Sequence, residues 1–413
     1  MQQDPLQAGR RRPTRSRLRA LAAALASAVV LGTASVAVGG GPAVAASTSA
    51  AAVGVTRSTV TVAGIVGTDA ASLGADVGAQ ARFARANRGD GVAGRTIEYS
   101  RTEAAPDAAT ADGAAAELAN EVFAAVPTIG ATVGAAALDR AGVPFFGAAS
   151  TVDWYANRAG FGFTGVAVTE RTRIAVSPLG IQLRRALGGV DAPVQVFSDD
   201  DPAGAARAAQ ARRSLRAAGF RTVTLVTVPL APAASAVIPP GQPAPGGVAV
   251  LLTVAGRTAD IVGQLAAGGS TATIVVGPEF YVPTDPGRAN GLTVLTAVAP
   301  FEETSAANRR LAADVEAFAP GTVLTPAIAA GYWSADLFVQ ALARTGKQLT
   351  RARLLDALNG EQFTYAVPGT IGRSTWPEMH TQPVPCGSLV QSDGTQYLVV
   401  APYACARVAP AKR

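Results

Sequence analysis

Thr273-Ile274-Val275-Val276-Gly277-Pro278-Glu279-Phe280 is the stretch whose reading decides the fold. Its β-branched run reads as a short buried strand, which Gly277-Pro278 stops abruptly. One carboxylate is left just past the carboxyl end, where open α/β sheets bind ligands. A carboxylate held in such a crevice is costly unless a cation meets it, so Glu279 suits an ammonium-bearing small molecule. A solvated loop carboxylate is the plainer reading of the same residue.

Outward from this strand, strand-like and helix-like stretches alternate. On its amino side, Val248 to Thr253, Arg221 to Val228 and Pro193 to Phe197 read as strands, and Thr258 to Ala267, Ala203 to Ala217 and Ser177 to Leu187 as helices. The Pro-, Ala- and Gly-rich run from Pro229 to Gly247 reads as an irregular surface loop. Nearer the amino terminus, strands at Thr59 to Val66, Arg95 to Tyr99, Glu121 to Val126 and Val143 to Phe146 alternate with helices at Leu73 to Asn87, Ala108 to Asn120 and Ala131 to Ala141. Such alternation makes βαβ units and a parallel sheet, and its restart after about Arg171 makes two of them. The predicted fold class is α/β, with two doubly wound parallel-sheet lobes. Beyond Glu279 the tail adds helices at Gly331 to Thr345 and Arg351 to Leu358 and a hairpin across Ser392-Asp393-Gly394-Thr395.

The amino terminus has a different character. Arg10, Arg11, Arg12, Arg15, Arg17 and Arg19 precede an apolar, Ala-rich run from Leu21 to Val38, and Ala43-Val44-Ala45-Ala46 offers small residues at a cleavage site. This pattern predicts a signal peptide over residues 1–46. Gly32 and Gly39 interrupt the run and Leu is scarce, which disfavours a permanent anchor. The segment holds six of the 35 basic residues and one of the 29 acidic ones, so the 367 residues left of 413 carry 29 and 28, a net charge of +1. So even a balance gives no basis for a nucleic-acid or membrane-binding surface. The two cysteines, Cys386 and Cys405, read as a disulfide in an exported chain. A two-residue turn at Asp393-Gly394 would set Cys386 opposite Ala401, so Cys405 reaches it only if the chain folds back at Pro402. With no cysteine near the cleavage site to carry lipid, the expected product is soluble, extracytoplasmic and not lipid-anchored.

Several blocks resemble the type I periplasmic binding proteins, the leucine/isoleucine/valine-binding class that delivers ligands to ABC transporters. Ala81-Arg82-Phe83-Ala84-Arg85-Ala86-Asn87 running into Gly91-Val92-Ala93-Gly94-Arg95-Thr96-Ile97-Glu98 is similar to that family's first helix and turn. Gly142-Val143-Pro144-Phe145-Phe146-Gly147, Gly277-Pro278-Glu279, Gly291-Leu292 and the helix from Tyr332 to Thr345 follow in the family's order. The resemblance implies two lobes joined by three crossovers, a Venus-flytrap, with lobe 1 over 57–170 and 303–375 and lobe 2 over 171–302 and 376–413. It further implies a ligand enclosed between the lobes, an ABC transporter permease as partner, and a monomer. Carried over by position, Thr128, Ala149 and Thr151 fall on the side that holds a ligand carboxylate, and Glu279 on the side that holds its ammonium. The chemistry agrees: Thr128 is read as following a strand, and Ser150 and Thr151 as following another at a helix start, where free N–H groups and a hydroxyl bind an anion. Helix capping alone also explains either threonine.

Departures from the family pattern bear on the ligand. Where amino-acid binders commonly carry tyrosines in the second lobe, this chain has Pro202-Ala203 and Ala255, leaving Trp154, Tyr155, Phe280 and Tyr281 as replacement surface or as core. Gly89-x-Gly91-x-x-Gly94 matches a dinucleotide fingerprint but follows a helix and precedes a strand, the reverse of what pyrophosphate binding requires. Asp199-Asp200-Asp201-Pro202 reads as a capped helix start rather than a cation site. A single histidine, His380, excludes a His-cluster metal site, and no nucleophile and base stand out. No catalytic residue, metal or cofactor is expected. Beside a transport-linked binding protein stand a secreted ligand-binding or sensory module of the same fold and, third, an enzyme using Glu279 as a base.

Overall fold

The computed structural model describes residues 52–406 except 70, 131–132, 149–153, 155–156, 165–177, 230–237, 239–242, 361 and 381–383. All of these belong to one unit, Ala50–Arg413, and the segment 1–46 lies outside the described residues.

Strands β1 (Thr59–Val66), β2 (Thr96–Glu103), β3 (Ala124–Ile129), β4 (Phe145–Gly147) and β5 (Gly160–Gly162) form a parallel sheet in the order β2-β1-β3-β4-β5. Helices α1 (Ala75–Asn87), α2 (Ala108–Glu121) and α3 (Ala135–Arg140) connect them. After α4 (Leu179–Leu187), the winding repeats. Here β6 (Val194–Asp199), α5 (Pro202–Ala218), β7 (Val223–Val228), β8 (Val248–Leu252), α6 (Ala255–Ala267), β9 (Thr273–Val276) and β10 (Thr293–Thr296) give β7-β6-β8-β9-β10, also parallel. Both are the doubly wound order whose ligand crevice opens at the strands' carboxyl ends.

The chain then leaves the second sheet and returns to the first. Helices α7 (Ala306–Phe318), α8 (Pro326–Thr345) and α9 (Arg351–Gly360) and the hairpin β11 (Thr364–Val367) and β12 (Ile371–Thr375) precede β13 (Cys386–Ser392) and β14 (Tyr397–Cys405), which extend the second sheet antiparallel to β10. Leu311, Tyr332 and Phe338 share one core with Val62, Phe146 and Phe161. Helices α1 and α8 cross backbone to backbone: a Cβ on Gly78 would lie 1.9 Å from the Ile328 carbonyl oxygen, and one on Gly331 1.8 Å from that of Ala75. Only glycine admits so close an approach. Beside this contact the Arg82 Nε donates to Asp336 Oδ1 at 2.6 Å, while Asp336 Oδ2 accepts from Gln340 and from the Tyr365 hydroxyl.

Some local expectations are corrected. Thr128 lies within β3, not after a strand, because α2 runs on to Glu121 and a register shift between β1 and β3 lets the sheet pass Pro127, which has no N–H to give. Helix α8 starts five residues earlier than the apolar pattern implies, with Thr325 capping the Ile328 N–H and Pro326 in the first turn.

The disulfide forms without a reversal at Pro402. The hairpin loop has four residues, Asp393 to Gln396, with the Asp393 N–H donating to the Gln396 carbonyl. Register shifts on either side of Leu389 then carry Cys386 directly opposite Cys405, with S–S 2.03 Å. The Glu303 carboxylate fills the irregularity, accepting from the Ser388 hydroxyl at 3.0 Å and the Tyr403 N–H at 2.7 Å.

Candidate functional site

The carboxyl ends of β6, β8, β9 and β10 converge on a crevice in which two carboxylates differ in character. Glu279 stands in a single 3-10 turn, Pro278–Phe280, immediately after β9, and is exposed. Its carboxylate folds back over Gly277, where a Cβ would sit 2.3 Å from Oε2, so glycine makes this pose available. Burial of the inner side raises its pKa, opposed by its own backbone N–H and by Arg288. Among the described residues no cation lies within ion-pair distance of it.

The loop that carries Glu279 is held by two tyrosines. The Tyr281 hydroxyl donates to Glu302 Oε2 at 2.7 Å and accepts the Phe301 N–H at 2.9 Å, both on the segment leading from β10 to α7. The Tyr397 hydroxyl, from β14, donates to the Phe280 carbonyl at 2.6 Å and accepts the Val282 N–H at 3.0 Å. Phe280 and Tyr281 are buried in the second lobe's core, and Trp154 is buried against Phe145 with ring centroids 4.8 Å apart. These three aromatics are core residues, and Tyr155 lies outside the described residues.

On the first sheet, Thr128 is buried and its hydroxyl donates to the Phe146 carbonyl at 3.0 Å. Its oxygen keeps only acceptor capacity. Ala149, Ser150 and Thr151 lie outside the described residues, so Thr128 and Glu279 are the sequence-derived ligand positions that the structure places, each at the carboxyl end of a parallel sheet.

The second carboxylate was legible only as part of a helix start. Asp201 does cap α5, accepting the Gly204 N–H, with Pro202 at the first turn. Asp199, two residues earlier at the end of β6, is instead fully buried: Oδ2 accepts from Arg207 Nη2 at 3.0 Å and from the Val254 N–H at 3.1 Å, while Oδ1 has no partner. Burial raises its pKa, and the Val254 N–H and Arg207 oppose this in part. Arg207 also donates from Nε to the Leu252 carbonyl and lines a cavity of about 100 Å³ with Leu179, Gln210, Leu252, Pro278 and Leu295. Among the described residues no group of His, Cys, Asp and Glu has the spacing to hold a metal ion, and no helix is long and apolar enough to cross a membrane.

Comparison with known proteins bears on this arrangement. A sequence profile described as periplasmic binding protein matches residues 67–396. No protein of curated function matches. Among solved structures, the chain is similar to a fatty acid ABC transporter substrate-binding protein from Thermomonospora curvata, at 17% identity and TM-score 0.66, covering 86% of this chain and 95% of that one. It is also similar to an ABC transporter substrate-binding protein from Desulfitobacterium hafniense in complex with Leu, at 16% identity, TM-score 0.63 and coverage of 83% and 99%. The branched-chain amino acid transporter substrate-binding protein LivJ from Streptococcus pneumoniae, in complex with isoleucine, gives 16%, 0.61, 83% and 100%. At these identities the likeness is one of fold.

Proposed function

This chain belongs to the periplasmic binding protein family, a family of solute-binding proteins and not of enzymes, and from that premise we propose that it is the extracytoplasmic binding component of an ABC transporter. Its ligand in this reading is a small polar molecule, an amino acid or related compound, enclosed between lobe 1 (57–170 and 303–375) and lobe 2 (171–302 and 376–413). Closure about the hinge follows because ligand contacts from both lobes favour the closed form, which would then dock on a permease.

The observation that carries the ligand class is Glu279, a carboxylate without an ion-pair partner among the described residues at the carboxyl end of β9. An ammonium would complete it with a charge-assisted hydrogen bond. Two relatives of this fold hold leucine and isoleucine, which bring an ammonium and a carboxylate together. On the opposite side, Ala149, Ser150 and Thr151 would hold the carboxylate, whereas the Thr128 hydroxyl, spent on the Phe146 carbonyl, serves to fix the strand end beside them. A thermal-shift screen of amino acids, amides and small metabolites identifies the ligand, and calorimetry on Glu279→Gln tests the assignment. Removing the charge should weaken binding by roughly 2 to 5 kcal/mol with the fold intact, since Gln keeps the size and one acceptor. Thr151→Val should lose about 1 to 3 kcal/mol. Unchanged affinity in Glu279→Gln would discard the ammonium and leave a neutral or anionic ligand.

A further inference from the structure

The cavity beside Arg207 lies within the second lobe, under the middle turns of α5 and against the ends of β8, β9 and β10. Its walls are hydrocarbon: Leu179, Ala211, Leu252, Pro278, Leu295 and Val384. Water would fill it poorly. A space of about 100 Å³ has room for about three waters at their liquid volume, and each needs two to four polar partners to be held. Few such partners are at hand. An engineered cavity half as large again takes benzene, so the space fits an aliphatic group of about four carbons.

Polar groups occur together, on one face of α5. Arg207 and Gln210 are three residues apart and both line the cavity. Arg207 spends Nε on the Leu252 carbonyl and Nη2 on Asp199, and its Nη1 has no partner among the described residues. Gln210 is only 6% exposed, yet its carboxamide has no hydrogen-bond partner among the described residues. Two N–H donors at one end of a hydrocarbon-walled space define an acceptor head with an apolar tail. We propose that this cavity is a binding subsite for a short aliphatic carboxylate, its tail among Leu179, Leu252 and Leu295 and its head accepting from Arg207 Nη1 and Gln210 Nε2. Arg207 prefers an anion to a neutral carbonyl because its charge-assisted hydrogen bonds are the stronger ones.

The proposal rests on the reading of the chain as a binding protein, but not on an ammonium at Glu279. Pentanoate is the probe, having a four-carbon tail and no ammonium, and pentylamine is its control with the head charge reversed. Titration calorimetry on the whole exported protein should give saturable pentanoate binding, with pentylamine at least about tenfold weaker. Ala297→Leu fills the space from a half-buried wall position and should weaken pentanoate at least about tenfold by denying burial to several methylenes. Gln210→Leu should weaken it several-fold, while Glu279→Gln leaves it unchanged. No saturable pentanoate binding, or binding indifferent to Ala297→Leu, overturns the subsite. An amino acid that binds through Glu279 in the same protein would then leave the proposed function standing; pentanoate binding without any such amino acid would keep the subsite and remove the ammonium.

Discussion

Two buried aspartates, Asp336 in the first lobe and Asp199 in the second, are each paired with an arginine, and the two pairs are finished differently. In the first, Arg82 and Asp336 meet at 2.6 Å with side-chain exposures of 12% and 7%, and both carboxylate oxygens are occupied, one by Arg82 and the other by Gln340 and Tyr365. In the second, Arg207 and Asp199 meet at 3.0 Å with 36% and 0%, and Oδ1 of Asp199 has no partner among the described residues. A satisfied network specifies one packing, whereas an unsatisfied one is costly and is found where function needs it. The first pair ties α1 to α8 across a contact that only glycines allow. The second stands at the crevice, beside the apolar cavity that Arg207 lines. At these two pairs the difference is between a carboxylate whose oxygens are both occupied and one left half open.

All three tryptophans, Trp154, Trp333 and Trp376, lie in cores built on the first sheet, so their fluorescence follows those cores while far-ultraviolet circular dichroism follows both sheets. The largest expected effect is that of Asp336→Ala. It strands Arg82 in the interior and should destabilise by about 3 to 5 kcal/mol, the range for breaking a buried pair, read as a shift of the tryptophan transition in urea. A shift below about 1 kcal/mol would make the two pairs alike.

Next comes acid. His380 donates from Nε2 to Asn359 Oδ1 and lies tilted against Phe161; burial lowers its pKa to about 4, Arg158 adding to the drop and Asp139 opposing it. The unfolded imidazole titrates near 6.5, so between about 6.5 and 4 the unfolded chain holds the extra proton. Its contribution is intact above that window and is lost as pH falls through it, by about 3 kcal/mol in total. His380→Gln should flatten the slope of the tryptophan transition over that window. A slope that survives would place the acid sensitivity in other groups.

Reduction of Cys386–Cys405 should cost the second lobe at most about 3 kcal/mol on the chain-entropy account for a loop of this length. Circular dichroism should report the early transition and tryptophan should not. A simultaneous shift in both would show that the lobes unfold as one. The smallest effect is expected from Asp199→Asn. Because the folded carboxyl has its pKa raised, the folded state holds the extra proton above the usual carboxylate range, and ionisation subtracts stability as pH rises through that window. The amide removes this penalty and keeps the acceptor for Val254, so stability at neutral pH should change by less than about 1 kcal/mol, upward if at all. A large loss would mean that Asp199 is as structural as Asp336.

The winding of both sheets and the place of Glu279 were legible because β-branched runs closed by Gly or Pro carry strong local signals. Other elements had none. Strand β5 is Gly-Phe-Gly, with poor strand formers, and Gly160 is there because a Cβ would meet the Phe145 ring at 2.5 Å. Helix α7 buries Asn308 and Asp314 along with Leu311, so its apolar stripe is interrupted. The Asn308 amide answers the Pro300 and Glu303 carbonyls, and Asp314 answers Arg85 and Tyr332, partners far from pattern reading. Three aspartates in a row do not announce that the first is buried and the third a cap. The pairing of Arg207 and Gln210 on a cavity depends on the rotation of α5 against β8, which no spacing encodes.

The return of α7 and α8 to the first sheet has a consequence for the order of folding. A chain emerging amino end first displays Val62, Phe146 and Phe161 long before Leu311, Tyr332 and Phe338 exist to cover them. The second sheet, contiguous from β6 to β10 and wanting only its terminal hairpin, can gather while the first still waits. Domains tend to fold as units once their sequence is complete. Here the earliest segment is among the last to be sealed, so a truncated or clipped chain exposes an aromatic sheet face to its neighbours, and only the finished polypeptide can hide it.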